Sequence, residues 1–219
     1  SFDQCIRLVA LLLSALSGAL LSAAFEPVGK WWVAPIAIAV HMYALSISSR
    51  KVLSSFIFGL TLNLIVLHWS STFVGSIPWV ILAIGLSLFY LPLALVSKWG
   101  ITAYPLIYIL LEEVRNRFPF GGFGWVRIAF TQADAPYAKV AAIGGATALS
   151  AAVVLIALVI FHISHRKFSL LPLLPFLIVL VPVNTSVVDS TNVLMIQGNV
   201  PQMGLDFNSR AKAVFNNHF

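Results

Sequence analysis

Charge is what this sequence has least of. Charged residues make up 9% of its 219 positions, against about 25% in an ordinary soluble domain. Beside 60% hydrophobic residues and a mean hydropathy of +0.97, so little ionisable surface excludes a soluble globular protein and points to a membrane. Cysteine is nearly absent too. The single thiol, Cys5, excludes a disulfide framework and a cysteine-based metal site. It precedes the first apolar run, whereas the cysteine of a lipobox follows one, so it reads as a lone thiol near the first helix. Acids are scarce, seven against thirteen Lys and Arg, for a net charge of +6. The bases come in ones and twos, with no basic stripe interleaved with aromatics, so nucleic acid is not an expected partner. Scattered bases in an apolar chain report membrane topology instead. No internal repeat is visible, which argues against a transporter built from duplicated halves.

What is present is a series of apolar runs near the length of about 20 residues that a crossing helix needs. Residues 6–25 and 31–49 are the first two. Residues 52–97 carry no charge and are too long for one span, and the turn residues Gly75, Ser76, Ile77 and Pro78 divide them. Residues 99–111 form a short run, and 140–164 and 168–183 follow. The expectation is an all-α polytopic membrane protein with about seven crossings, residues 1–184, followed by residues 185–219 as a separate unit. The first run ends in "LSAAF", which resembles a signal-peptidase site, but the spans that follow favour an uncleaved helix. Arg7, Arg50, Lys51, Lys98, Arg166 and Lys167 fall on one side with Asp3 as the only acid. The positive-inside rule makes that side cytoplasmic and places the tail outside. Arg115, Arg117, Arg127 and Lys139 break the pattern by lying on the outer side.

That anomaly sits in "YILLEEVRNRFPFGGFGWVRIAFTQADAPYAKV", residues 108–140. The preceding run is too short to cross alone, so its helix should continue through Glu112 and Glu113. Glu112 and Arg115 would then share a face at i and i+3. "FPFGGFG" should break the helix, and irregular backbone at membrane depth must be buried in protein or line a wet cavity. Two readings stand open. The loop is an interfacial re-entrant segment anchored by its aromatics and arginines, or it forms an outward cleft where Arg115, Arg117 or Arg127 meets lipid phosphate. His41 and His68 read as core or interface histidines. His162 and His165 read as a cytoplasmic helix end, and Gly144 and Gly145 as close helix-packing residues.

Tyr108, Glu112 and Arg115, then "GFGWVRIAFTQADAP" and "QGNVPQ" at 197–202, together resemble the apolipoprotein N-acyltransferase family of bacterial inner membranes. The family's pattern is an aromatic, Glu four residues on and Arg three further, then "GFPW…GYSQ…P". Here Tyr108 replaces the usual Trp, Gly124 the usual Pro, and Phe130, Thr131 and Gln132 stand for Tyr-Ser-Gln. Trp69 fits the family's Trp at the end of the third span. "QGNVPQ" matches the "QGNIPQ" that opens the family's extracytoplasmic nitrilase-like domain. Phe207 stands near where the family usually has a Trp, and the mix of "FGGFGW" and "GLDFNSR" looks closer to actinobacterial members.

The resemblance implies that residues 185–219 are the first strand and helix of an α/β nitrilase-like domain. The helix would be amphipathic through Ala211, Val214, Phe215 and Phe219. It implies transfer of an acyl chain from a phospholipid to the α-amine of a diacylglyceryl-cysteine at a lipoprotein's N-terminus. A Glu, a Lys and a Cys would do this through a thioester, with no metal or organic cofactor. None of those three can be assigned in this chain, so it reads as the N-terminal part of an enzyme, inactive alone. Cys5 lies on the opposite face. The substrate-binding residues that the resemblance and the loop nominate are Glu112, Arg115, Arg127, Trp125, Trp69 and Phe207. The expected partners are the phospholipid donor, the diacylated lipoprotein and the membrane. The alternative is a non-catalytic scaffold for a lipid-modifying enzyme such as a polyprenol-phosphate mannose synthase.

Overall fold

The computed structural model describes residues 2–166 and Leu194. The expected seventh span at 168–183, the expected strand and helix in 185–219, and Phe207 lie outside the described residues. Within them the chain is helical, and no strand occurs.

The longer helices are α1 (Phe2–Ser22), α2 (Val33–Ile47), α3 (Lys51–Val66), α5 (Ser76–Leu88), α7 (Tyr104–Arg115) and α8 (Ala141–Ser164). Two single turns of helix, α4 (Ser71–Val74) and α6 (Val96–Trp99), lie between them. Among the described residues, three stretches are long and apolar enough to cross a membrane: Asp3–Ser22, Ser76–Trp99 and Ala138–Ser164. A fourth qualifies if Lys51–Val66 and His68–Val74, bent by 50° at their junction, count as one span. The expected spans at 31–49 and 99–111 are shorter helices than the apolar runs suggested. α2 has 15 residues and α7 has 12, about 22 and 18 Å at 1.5 Å per residue, less than the roughly 30 Å of a hydrocarbon core.

Local sequence explains the breaks. Gly75 has φ +86°, a conformation open to glycine but strained for other residues, and it separates α4 from α5 where the turn residues predicted a division. The bend at Leu67 and His68 carries no glycine or proline and was not expected. In 76–99 the helix tightens to 3-10 geometry over Leu91–Leu95, with Pro92 at its start. Gly144 and Gly145 do not pack helices closely, as the sequence suggested. Their backbone is non-helical and kinks α8, and a methyl group on Gly145 would meet nothing within 4 Å.

The helices close into a ring. α1 packs on α2 and α3, α3 on α5 and the 91–95 segment, that segment on α7, α7 on α8, and α8 on α2. Small residues let α1 come close. Ser17 donates to the Ala37 carbonyl at 2.7 Å, and a Cβ on Gly18 would lie 2.5 Å from the Phe58 carbonyl oxygen. Leu8, Leu12 and Leu16, spaced four apart on the other face of α1, are exposed, as are Ile77, Ile81 and Ile84 of α5. An apolar face of this kind is stable in lipid and not in water. Inside the ring His41 is buried, stacked on Phe58 with centroids 4.1 Å apart, and its Nδ1 lies 2.8 Å from the Tyr104 hydroxyl. It is the core histidine expected of it, though only Nδ1 is partnered and Nε2 is buried without a hydrogen bond. His68 instead is exposed, edge-on to Trp79 at 5.0 Å.

α1, α3 and α7 start at one end of the bundle, called here the amino-terminal end. The connections 23–32, 67–75 and 116–140 lie at the opposite end.

Candidate functional site

α7 ends at the opposite end of the bundle, and its last turn carries Glu112, Glu113 and Arg115. The 116–140 loop turns back over that last turn. Phe118 N donates to the Val114 carbonyl and Phe123 N to the Arg115 carbonyl, both at 2.8 Å. The doubled glycine makes this return possible. Gly122 has φ +87°, and a Cβ there would collide with the carbonyl of Asn116. The loop then runs through Trp125 and Val126 into a 3-10 turn, Ile128–Gln132, packed on α8.

Two layers of polar contact hold the loop. The inner layer is buried: Glu112 and Arg115 are each 1% exposed. They pair at 3.9 Å, as their i, i+3 spacing suggested. Glu112 Oε1 accepts the Ile128 N–H at 2.9 Å, and Arg127 Nε lies 3.5 Å from Glu112 Oε2. Arg115 donates to the Tyr90 hydroxyl at 2.8 Å and to the Val126 carbonyl at 2.7 Å. One carboxylate and one guanidinium thus tie α7 to residues 126–128 of the loop and to Tyr90, just before the 91–95 segment. The outer layer centres on Glu113, which pairs with Arg117 and Arg127 and accepts the Thr147 hydroxyl at 2.6 Å. Arg127 also donates to Thr147 Oγ1 at 2.7 Å, so the loop is tied to α8 as well.

Gln132 fixes the far side of the loop. Its Nε2 donates to the Trp31 carbonyl at 3.2 Å, and its Oε1 accepts the Tyr137 hydroxyl at 2.6 Å. Burial pushes the Tyr137 hydroxyl up to about 12, so it remains a donor across the neutral range. Thr131 donates to the Ile128 carbonyl at 2.8 Å, and Ser150 of α8 accepts the Ala129 N–H at 3.3 Å.

Aromatics crown this scaffold. Trp125 stacks on Trp69 with centroids 5.0 Å apart and planes at 24°, and Phe123 lies 5.6 Å from Trp125. Trp69 and Trp125 stay 45% and 60% exposed despite the stack, and Phe130 is exposed beside them. A hollow of about 270 Å³ lies next to the pair, lined by Phe25, Glu26, Trp69, Phe130, Thr131 and Asp134 among others.

Of the nominated residues, Glu112, Arg115 and Arg127 come together as one cluster, and Trp69 and Trp125 meet as one stacked pair. The cluster lies beneath the aromatics and is closed to solvent at Glu112 and Arg115. Arg117, at 73% side-chain exposure, is the loop guanidinium turned outward. Sequence reasoning missed Tyr90, Thr147 and Ser150. Only Tyr90 carried a signal, since a phenol inside a long apolar run needs a hydrogen-bond partner. Among the described residues no group of three or more His, Cys, Asp or Glu could hold a metal ion.

Residues 17–159, which include all of this site, match the family model of the apolipoprotein N-acyltransferase N-terminal domain. A relative from Mycolicibacterium smegmatis named apolipoprotein N-acyltransferase is 30% identical over 254 aligned positions, covering 99% of this chain and 42% of the relative. One of the same name from Photobacterium profundum is 30% identical over 222, covering 88% of this chain and 43% of the relative. One from Haemophilus ducreyi is 30% identical over 165, covering 68% and 32%. The chain therefore spans less than half the length of the curated relatives it matches. With the family model covering most of its helical bundle, this chain belongs to the apolipoprotein N-acyltransferase family, through that family's N-terminal domain.

Proposed function

We propose that this chain is the membrane part of an apolipoprotein N-acyltransferase of the bacterial cell membrane. The enzyme moves an acyl chain from a phospholipid to the N-terminal amine of a diacylated lipoprotein. The bundle, residues 1–184 with seven crossings, lies across the membrane with its N-terminus in the cytoplasm. Residues 185–219 open the nitrilase-like domain on the outer side, where the thioester chemistry takes place. Trp69, Trp125 and Phe207 line the path of the lipid substrates. Glu112, Arg115 and Arg127 act on substrate from below, by holding the loop that carries Trp125, while Arg117, paired with Glu113 but largely exposed, can turn to meet a phosphate.

The observation that carries this reading is the loop itself. An aromatic platform is left open to lipid while the carboxylate and guanidiniums beneath it are spent on holding its backbone. Such preorganisation serves a binding surface that must keep its shape against mobile acyl chains. Cys5 starts α1 at the amino-terminal end, a bundle length from the loop, and is no candidate for the nucleophile.

The test is genetic and chemical. Cells in which the gene is disrupted within residues 1–166 should accumulate lipoproteins with two acyl chains and a free α-amine, read by mass spectrometry of N-terminal peptides. Lipoproteins that remain triacylated at the parental level, with no second acyltransferase gene in the cell, would overturn the proposal.

A further inference from the structure

The amino-terminal end of the bundle carries cationic groups that acyl transfer at the opposite end does not use. Two adjoining hollows lie there, with Lys51 on the wall of both. The first, about 640 Å³, runs between the start of α3 and the 91–97 segment, and Arg50, Lys51, Val52, Leu53, Phe56 and Leu91 line it. The second, about 560 Å³, sits among the ends of α2, α6 and α8, and its polar wall includes Thr102, His162 and His165. Among the described residues no carboxylate lines either one.

The turn bearing the two bases is held rigidly. Lys51 Nζ donates to the Ser48 carbonyl at 2.7 Å, Arg50 N donates to Ser48 Oγ at 3.1 Å, and Ser48 and Ser54 hydroxyls lie 2.8 Å apart. No ion pair among the described residues engages Arg50 or Lys51. His162 Nδ1 is buried without a hydrogen-bond partner. Uncompensated positive charge fixed at a membrane surface attracts anions, at about 1 kcal/mol per base in an anionic leaflet.

The walls identify the kind of anion. Next to the Arg50–Lys51 rim the first hollow is apolar, and Val52 and Leu53 are exposed along the bundle's outer surface. A free phosphate has no use for that wall, while an amphiphile uses both parts. We infer that the first hollow binds one anionic glycerophospholipid. Arg50 and Lys51 hold its phosphate, and an acyl chain lies along Val52, Leu53, Phe56 and Leu91. This lipid is a structural ligand, at the end of the bundle away from the Trp69–Trp125 platform. The inference rests on the bundle crossing a membrane, and on neither its sidedness nor its chemistry.

The experiment is native mass spectrometry of the purified chain in neutral detergent, with phosphatidylglycerol, phosphatidylcholine or inorganic phosphate added separately. Expected is one retained phosphatidylglycerol, with phosphatidylcholine retained about thirtyfold less, as two basic contacts would give. Arg50→Gln with Lys51→Gln should cut phosphatidylglycerol retention by about the same factor. Lys98→Gln, an exposed base at the same end that lines neither hollow, should leave it unchanged. Leu53→Trp, which fills the apolar wall and keeps both charges, should also abolish retention and so covers a double variant that fails to fold. Equal retention of phosphatidylcholine, displacement by inorganic phosphate, or an equal loss in Lys98→Gln would each overturn the site. So would a folded Arg50→Gln/Lys51→Gln or Leu53→Trp protein that binds as before. Reporter fusions at Ser49 and Gly75, at opposite ends of the bundle, test the crossing separately, since the same readout at both would mean that no span divides them.

Discussion

Glu112 and Glu113 are neighbours in sequence with the same side chain, yet their surroundings set them different tasks. Glu112 is buried among two guanidiniums and a backbone N–H. Glu113 has as many partners, Arg117, Arg127 and Thr147, but is only half-buried, with 18% of its side chain exposed and Arg117 largely in the open. Removing one partner from a buried pair costs about 3–5 kcal/mol, because the other charge is stranded. Exposed pairs are worth about 0–1 kcal/mol. Glu112→Gln should therefore lower the thermal unfolding midpoint in detergent well below that of Glu113→Gln, followed by tryptophan fluorescence. An equal or larger loss in Glu113→Gln would show that the outer layer holds the loop. Trp125 separates stability from function. Its stack on Trp69 is worth about 0.5–1.5 kcal/mol, so Trp125→Ala should move the midpoint little. If the platform guides lipid, the same substitution should reduce lipoprotein acylation at least about tenfold, a loss of 1.4 kcal/mol in the barrier. Unchanged acylation would remove Trp125 from the substrate path.

Among the elements, the loop after α7 is the most demanding of its sequence. Gly121 and Gly122 both have φ near +90°, but only Gly122 is also closed in, against the Asn116 carbonyl. Alanine at Gly121 meets the backbone penalty of about 1–2 kcal/mol and nothing else. Alanine at Gly122 meets that and a clash that no side-chain motion relieves. Gly122→Ala should lower the yield of folded protein more than Gly121→Ala, and equal yields would mean the loop re-forms another way. Where each element came from in the sequence also differs. The division near residues 75–78 was legible because Gly75 and Pro78 announce it. The Glu112–Arg115 pair was legible because it is local to one helix. The bend at Leu67 was not, since no breaker marks it. Gly144 and Gly145 were misread because a glycine pair fits close packing and a kink equally well until its neighbours are known. Thr147 and Ser150 reach the site only through contacts 20 or more residues apart in sequence, a distance no local pattern reports.

At the scale of the whole molecule, the sidedness of the bundle is open to direct measurement. A reporter active only outside the cytoplasm should be silent when fused at Ser49 and active at Asn208. The reverse result would invert the orientation and move the aromatic platform to the cytoplasmic face. The closed ring has a further consequence, for how the protein is made. α2 emerges early in synthesis, yet among the described residues one of its main packing partners is α8, whose residues begin about a hundred positions later. The hydrogen-bond partner of its buried His41, Tyr104, also arrives late. Until then a bare imidazole and an open helix flank must wait in or beside the insertion machinery, where an unmatched polar group costs several kcal/mol in hydrocarbon. Assembly therefore cannot proceed helix by helix as each leaves the ribosome. The early helices must be sheltered until the last segment of the ring arrives, and a chain stalled before residue 141 should be a substrate for membrane proteases rather than a stable intermediate.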